Sequence, residues 1–319
     1  MLIPELYPNL PKKEYIYNNH VLNSSAWDHY KPRVGDVIIV TALKAGTTWM
    51  QGIVGNLIFQ NPPMPAPVWK LSLWLDRRLS SVEETLQLLE AQTHRRFIKT
   101  HLPMNALPYF PEVQYIYVGR DGRDVFMSLW NHHYHLAPEV MEYYNAFLAP
   151  RNQSVSPCTE DIHEFFAQWI EKSWFPWENE GFPYWSPFYH LHTWWSYRHL
   201  PNILFVHFND LLSDLEGEMR RIADYLKIPS NEAFWPELVA NLVFESMKAN
   251  ADAFVPNRGR SWKGGVQRFL NKGTNGRWQG VLTEEELRQY EAAVNRQLTP
   301  ESKRWLELGA GSSLAHSIQ

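Results

Sequence analysis

The stretch from Asp36 to Phe59, DVIIVTALKAGTTWMQGIVGNLIF, constrains the fold more than any other part of the chain. Val37-Ile38-Ile39-Val40 is a short apolar run that stops at Thr41-Ala42. A loop with one lysine, one glycine and two threonines follows, and apolar residues resume from Trp49 over the length of a helix. A strand, an anion-holding turn and a helix start account for this order. Lys44 supplies a point charge, Gly46 lets the backbone close on an anion, and Thr47 and Thr48 supply hydroxyls. The helix start adds N–H groups that no preceding turn satisfies. The segment therefore points to a phosphate or sulfate ester. It is not the nucleotide-triphosphate loop GxxxxGK followed by Ser or Thr, because Lys44 precedes Gly46 rather than following a second glycine. A purely structural loop capped by Thr47 is the competing account, and the rest of the chain has to decide between them.

Further strands are expected at Arg96 to Thr100, Val113 to Val118 and Asn202 to His207. Helices are expected from Thr47 to Phe59, from Ser81 (an N-cap with Glu83 and Glu84 in the first turn), after Gly119-Arg120-Asp121 to about His133, over Asp161 to Trp174, Tyr189 to Arg198 and Leu215 to Leu226, and over Glu284 to Gln297. Gln60 to Leu79, with four prolines, reads as irregular. Short apolar strands separated by helices or long crossovers imply a parallel sheet covered on both faces, with ligand groups at the C-terminal ends of the strands. Lys44, Lys99, His101 and Arg120 are all read as following directly after an expected strand. No internal repeat or low-complexity tract interrupts the pattern.

At 319 residues and 45% hydrophobic content, the chain can bury the core of one large domain or two intimate ones. Its net charge of −4 gives no strong field toward nucleic acid or an acidic membrane. The single cysteine, Cys158, excludes an intrachain disulfide framework and cysteine-based metal sites. Residues 1 to 35 are rich in proline and asparagine, the first of them lack the apolar run of a secretory leader, and no stretch reaches membrane-span length. These features lead to the expectation of a cytoplasmic protein. Aromatic residues are abundant, with 15 Trp, 15 Tyr and 16 Phe. Those in Trp174-Phe175-Pro176-Trp177 and Phe182-Pro183-Tyr184-Trp185 sit in loop-like sequence, where they either line an apolar pocket or pack a lid. The aromatic stretch near 134–188 and the glycine-bearing stretch near 251–280 are the expected coverings.

Individually, several residues carry two accounts. Arg120 offers a planar fork for phosphate oxygens, or an ion pair with Glu112, Asp121 or Asp124. Arg123 faces solvent or pairs with Asp124. His132, His133 and His135 lie close in sequence, yet no HExxH-like block accompanies them, so no metal site is expected. Lining of a substrate pocket or ordinary packing remains for His132 and His133.

Four blocks together resemble the soluble sulfotransferases, cytosolic and bacterial, that use 3′-phosphoadenosine 5′-phosphosulfate. They are LKAGTTW at 43–49, KTHLP at 99–103, GRDGRDVFMS at 119–128 and NKGTNGRW at 271–278. Their order and spacing match as well, and the likeness runs through nearly the whole chain. The resemblance implies one α/β domain over residues 1–319, a P-loop-like three-layer sandwich with a central parallel sheet flanked by helices. It implies that Lys44, Ala45, Gly46, Thr47, Thr48 and Trp49 hold the 5′-phosphosulfate, with Trp49 also near the adenine. Lys99 then contacts the sulfate and His101 is the general base. Arg120 and Ser128 grip the 3′-phosphate, and Lys272 and Gly273 form the last phosphate loop. Four departures stand out. Leu43 replaces a customary proline, and Phe208 replaces a tyrosine that helps hold adenine. Asn271 replaces an arginine, a charge that Arg277 could restore. The customary serine near Val243-Phe244 is missing, although Phe244 remains.

The implied reaction is in-line sulfuryl transfer to a hydroxyl of a small, partly apolar acceptor, without metal or nucleic acid. Lys44, Lys99 and His101 would be its catalytic residues. The alternatives are a phosphotransferase or nucleotide hydrolase, and a non-catalytic adenine-nucleotide-binding protein. The first would need a triphosphate loop and a magnesium-holding acid. The presence of both Lys99 and His101 argues against the second, since binding phosphate does not require a base.

Overall fold

The computed structural model describes residues 9–60 and 63–311. Four strands form one parallel sheet: β1 (Val37–Thr41), β2 (Phe97–Thr100), β3 (Gln114–Gly119) and β4 (Ile203–His207), in the order β2-β1-β3-β4. Ile39 lies opposite Lys99 on one side and Ile116 on the other, and Val118 pairs with Val206. All five residues of β1 are buried because helices cover both faces.

Alternation along the strands divides the core. Val37, Ile39, Ile116, Val118 and Val206 face α1 (Thr47–Phe59) and a helix at Leu215–Leu226. Met50, Ile53, Val54 and Leu57 of α1 are each fully buried there, worth roughly 1.5–3 kcal/mol apiece. Ile38, Val40, Tyr115 and Tyr117 face the other layer. That layer contains α2 (Gly122–Tyr134), α3 (Ile162–Glu171), α4 (Pro187–Trp195) and α5 (Glu284–Gln297). The expected three layers are present.

The strand order reverses direction around β1, so a topological switch point lies between the C-terminal ends of β1 and β3. The loop bearing Lys44 leaves β1 there, and Arg120 follows β3 directly.

The coverings differ from expectation. The 134–188 stretch contains a helix at Pro138–Leu148 as well as α3, so it is not simply a loop. Its aromatics mostly pack inward: Trp177 stacks on Tyr15 at 4.4 Å, and Trp174 stacks on Phe182 at 5.9 Å. The 251–280 stretch is built of short turns and a helix at Val266–Leu270. It is pinned to the end of α2, where Ala137 N–H donates to Ser261 O at 2.9 Å and Lys263 N–H to His135 O at 2.7 Å. Gln60 to Leu79 also holds a single helical turn at Val68–Leu71.

Candidate active site

The β1–α1 loop turns on two residues with positive φ, Lys44 and Gly46. Gly46 sits at φ 118°, and a Cβ there would meet the Phe208 ring at 3.0 Å. Lys44 itself adopts φ 68°, an unusual conformation for a side-chain-bearing residue. The first helical hydrogen bond runs from Met50 N–H to Gly46 O at 3.0 Å, so the N–H groups before it remain available to a ligand. Ala45 is buried behind the loop and donates its N–H to Ala42 O at 3.2 Å. Lys44 Nζ approaches His132 Nδ1 at 3.4 Å and lies 4.8 Å from the centre of the Phe269 ring.

Lys99 lies inside β2 rather than after it. Its ammonium sits over the Trp74 indole at 4.7 Å, and His101 meets the same indole edge-on at 4.9 Å. Asp76 receives hydrogen bonds from Trp27 Nε1 at 2.8 Å and from Trp74 and Thr100, which fixes the indole on which both residues rest. Sequence reasoning missed Trp74 and Asp76. They lie in the stretch read as irregular, where an isolated bridge from Trp74 to Lys99 docks it against β2.

The tautomer of His101 follows from its partners. Nδ1 lies 2.9 Å from Thr41 O and 3.0 Å from Thr41 Oγ1. A carbonyl oxygen only accepts, so Nδ1 carries the proton and Nε2 keeps its lone pair. Nε2 has no hydrogen-bond partner among the described residues, and His101 lines the cavity.

Arg120 makes none of the ion pairs considered for it. Its guanidinium donates to Asn275 Oδ1 at 2.9 Å, Thr274 O at 3.0 Å and Lys44 O at 3.3 Å, and stacks 4.2 Å from the centre of the Phe208 ring. Asp121 pairs with Arg123 at 2.5 Å, a correction to the Asp124 partner expected for Arg123. Asp124 instead accepts from Gly276 N–H at 3.0 Å and Arg277 N–H at 3.4 Å, which anchors the 271–278 loop. Arg277 lines the cavity with a buried Nε that has no hydrogen-bond partner among the described residues. Gly273 has φ 66°, and a Cβ there would sit 2.3 Å from Phe244. Trp49 meets Phe208 edge-on at 5.2 Å and is held by a 2.9 Å bond to Leu242 O.

One cavity of about 1000 Å³ therefore gathers Lys44, Gly46, Thr47, Thr48, Trp49, Lys99, His101, Arg120, Ser128, His132, Phe208, Phe244, Gly273 and Arg277. Lys272 is exposed and outside its lining, and His133 turns away to bond Tyr184 Oη at 3.0 Å. Among the described residues no cluster of His, Cys, Asp or Glu could hold a metal ion, and no helix is long and apolar enough to cross a membrane.

The cavity concentrates cations, Lys44, Lys99, Arg120 and Arg277, that make no ion pair among the described residues. Burial, then the charges of Arg120, Lys99 and Arg277, lower the Lys44 pKa to about 7. Burial and Arg77 lower Lys99 to about 8, against the opposing pull of Asp76. His101 falls well below 6.5, mainly through burial and then Lys99. A bound phosphate ester favours the charged ammoniums and so raises both lysine pKa values. Binding should therefore take up protons at pH 8, where the phosphate is already dianionic, and affinity should fall as pH rises through about 7 to 8. Calorimetry in buffers of different ionisation heats checks this, and binding without proton uptake would contradict it.

The family profile described as the sulfotransferase domain matches residues 34–301, which include every candidate residue named above. Glycolipid sulfotransferases of Mycobacterium tuberculosis and Mycobacterium bovis are 31% and 32% identical to the chain, with alignments covering 92% of it and 94% of each relative. Rat sulfotransferase 1A1 is 26% identical over 87% of both chains. Among solved structures, retinol dehydratase in complex with retinol and PAP (3′-phosphoadenosine 5′-phosphate) is similar with a TM-score of 0.67 at 24% identity, covering 86% of this chain and 84% of that one. A mouse sulfotransferase complexed with PAP gives 0.66 at 19% identity, covering 92% and 93%. These structural likenesses establish the shared fold.

Proposed function

We propose, for a chain that belongs to the sulfotransferase domain family, that it moves a sulfuryl group from 3′-phosphoadenosine 5′-phosphosulfate to a hydroxyl of a small, partly apolar acceptor, with His101 as general base. The observation that carries this reading is the facing pair of functions in one cavity. A cation-lined turn stands at the end of β1, and a histidine with a free Nε2 stands at the end of β2. The PAP bound in two structural neighbours supports the donor, and the glycolipid and retinol of the relatives and neighbours support a small-molecule acceptor.

The residues divide the work. Lys44 and the free N–H groups of the α1 start hold the 5′-phosphate and offset the charge that grows on it as its bond to sulfur breaks. Lys99 holds the oxygens of the transferred group. His101 Nε2 takes the acceptor's proton while the acceptor oxygen bonds to sulfur, and PAP leaves. Arg120, Ser128 and Arg277 hold the 3′-phosphate, and Trp49, Phe208 and Phe244 supply faces for adenine. The absence of lining charge at Asn271 leaves that position to Arg277.

Adenosine 3′,5′-bisphosphate should bind at least about tenfold more tightly than adenosine 5′-phosphate, as expected for charge-assisted contacts to a second phosphate. Arg277→Ala should shrink that preference. Equal affinities in the wild type would remove the 3′-site, and an unchanged preference in the variant would leave Arg277 out of it. A library of hydroxyl compounds incubated with isotopically labelled donor, read by mass, tests the reaction itself. Tight bisphosphate binding with no sulfated product from any acceptor would favour a nucleotide sensor.

A further inference from the structure

One cation of the cavity is not used by this reaction. Arg77 lines it together with Val21, Leu79, Tyr144 and Tyr184, and its charge is felt by Lys99. Its neighbour Arg78 is fully engaged, with bonds to Asn18, Asn19 O and Leu22 O and a stack on Phe147 at 4.5 Å. The Arg77 side chain has no hydrogen bond and no ion pair among the described residues. Burial draws its pKa down, and the only groups that act to raise it are the phenols of Tyr144 and Tyr143. Asp76, next in sequence, is already committed to Trp27, Trp74 and Thr100. The one acid of the cavity lining, Glu84, is exposed.

A half-buried guanidinium without a carboxylate is costly unless something else supplies the charge. Its place says what that is. The Arg77 guanidinium lies 6.0 Å from the centre of the Trp74 indole, the same ring that His101 meets at 4.9 Å. The charge and the base thus both lie against one indole in the cavity wall. We infer that Arg77, with the Tyr144 hydroxyl beside it, recognises an anionic group on the acceptor, so that the preferred substrates are hydroxylated apolar molecules bearing a carboxylate or phosphate monoester. This rests on the sulfuryl-transfer reading and names its substrate class. The planar fork suits two anionic oxygens at once, and Tyr144 adds a donor.

The test uses three phenols that share the reacting group: 4-butylphenol, 4-(4-hydroxyphenyl)butanoate and the phosphate monoester of 4-(4-hydroxyphenyl)butanol. Binding to the full chain loaded with PAP is measured by calorimetry, and transfer is measured as kcat/KM. In the wild type at least one anion should bind, and react, about tenfold or more better than 4-butylphenol. Which anion is preferred distinguishes the two sources. Arg77→Leu should abolish the preference, and Arg77→Lys should keep part of it. No anionic preference in the wild type would overturn the inference, as would a preference that survives in Arg77→Leu or an equal loss for all three phenols. Because binding is read separately, selective anion binding without transfer would sink the sulfuryl-transfer reading and leave the Arg77 site standing. Transfer without anion preference would do the reverse.

Discussion

Alanine at position 101 should leave bisphosphate affinity nearly unchanged and cut sulfuryl transfer by ~10²–10⁴-fold. Affinity should survive because His101 makes no hydrogen bond to the groups proposed to hold phosphate; its bonds go to Thr41 O and Oγ1. Transfer should fall because the bond from Nδ1 to Thr41 O leaves Nε2 as the unprotonated ring nitrogen, free to take the acceptor's proton. The loss should be larger for an aliphatic alcohol than for an acidic phenol, since a phenol arrives partly ionised. Raising the pH should therefore rescue the variant with the phenol and not with the alcohol. In the wild type, burial and Lys99 hold the His101 pKa well below 6.5, so the base form prevails at neutral pH. The acid limb of kcat/KM, which reports the free enzyme, should accordingly lie below pH 6.5. A folded variant that transfers to both acceptors at the wild-type rate would take His101 out of the mechanism.

The sheet and the β1–α1 turn were legible because local and global signals agree there. α1 and the helices at Leu215–Leu226 and Glu284–Gln297 occupy their expected spans, and Thr283 and Glu286 close the last of these starts with a capping box. Other helix edges were misread where a neighbour decides them. α3 ends at Glu171 because Gly181 and Phe182 N–H groups take the carbonyls of Trp169 and Lys172. No periodicity encodes that contact. α4 begins two residues earlier than expected, with Ser186 as cap and Pro187 in the first turn. The same capping signal, Thr299-Pro300, marks the unanticipated helix Pro300–Leu308, and Pro138 opens another. At the site, the motif residues were readable because they sit in contiguous blocks. Trp74, Asp76 and Arg77 were not, since their place depends on a strand-like docking of a proline-rich segment against β2. The two accounts of the loop aromatics divided as well: most pack inward, and Tyr184 reaches the cavity.

Lys44→Ala should separate binding from stability in a way no other substitution here does. The side chain is held in a cavity wall beside Arg120, Lys99 and Arg277, whose repulsion helps depress its pKa to about 7. Removing it relieves that repulsion in the empty protein. The unusual φ of 68° is no harder for alanine than for lysine, so the backbone supplies no new penalty. The unliganded variant should therefore melt at the wild-type temperature or slightly above it. Once a donor is present the balance inverts, because the anion meets one charge fewer in the ground state and again in the transition state. Bisphosphate affinity should fall, and the stabilisation it confers on melting should shrink with it. Transfer should drop by a further ~10²–10³-fold at saturating donor, the usual loss when one preorganised donor to a developing charge is removed. Melting with and without bisphosphate, followed by single-turnover transfer, measures all three quantities. A variant that melts lower when empty but binds and transfers normally would make Lys44 a structural residue and return the loop to its plainer account.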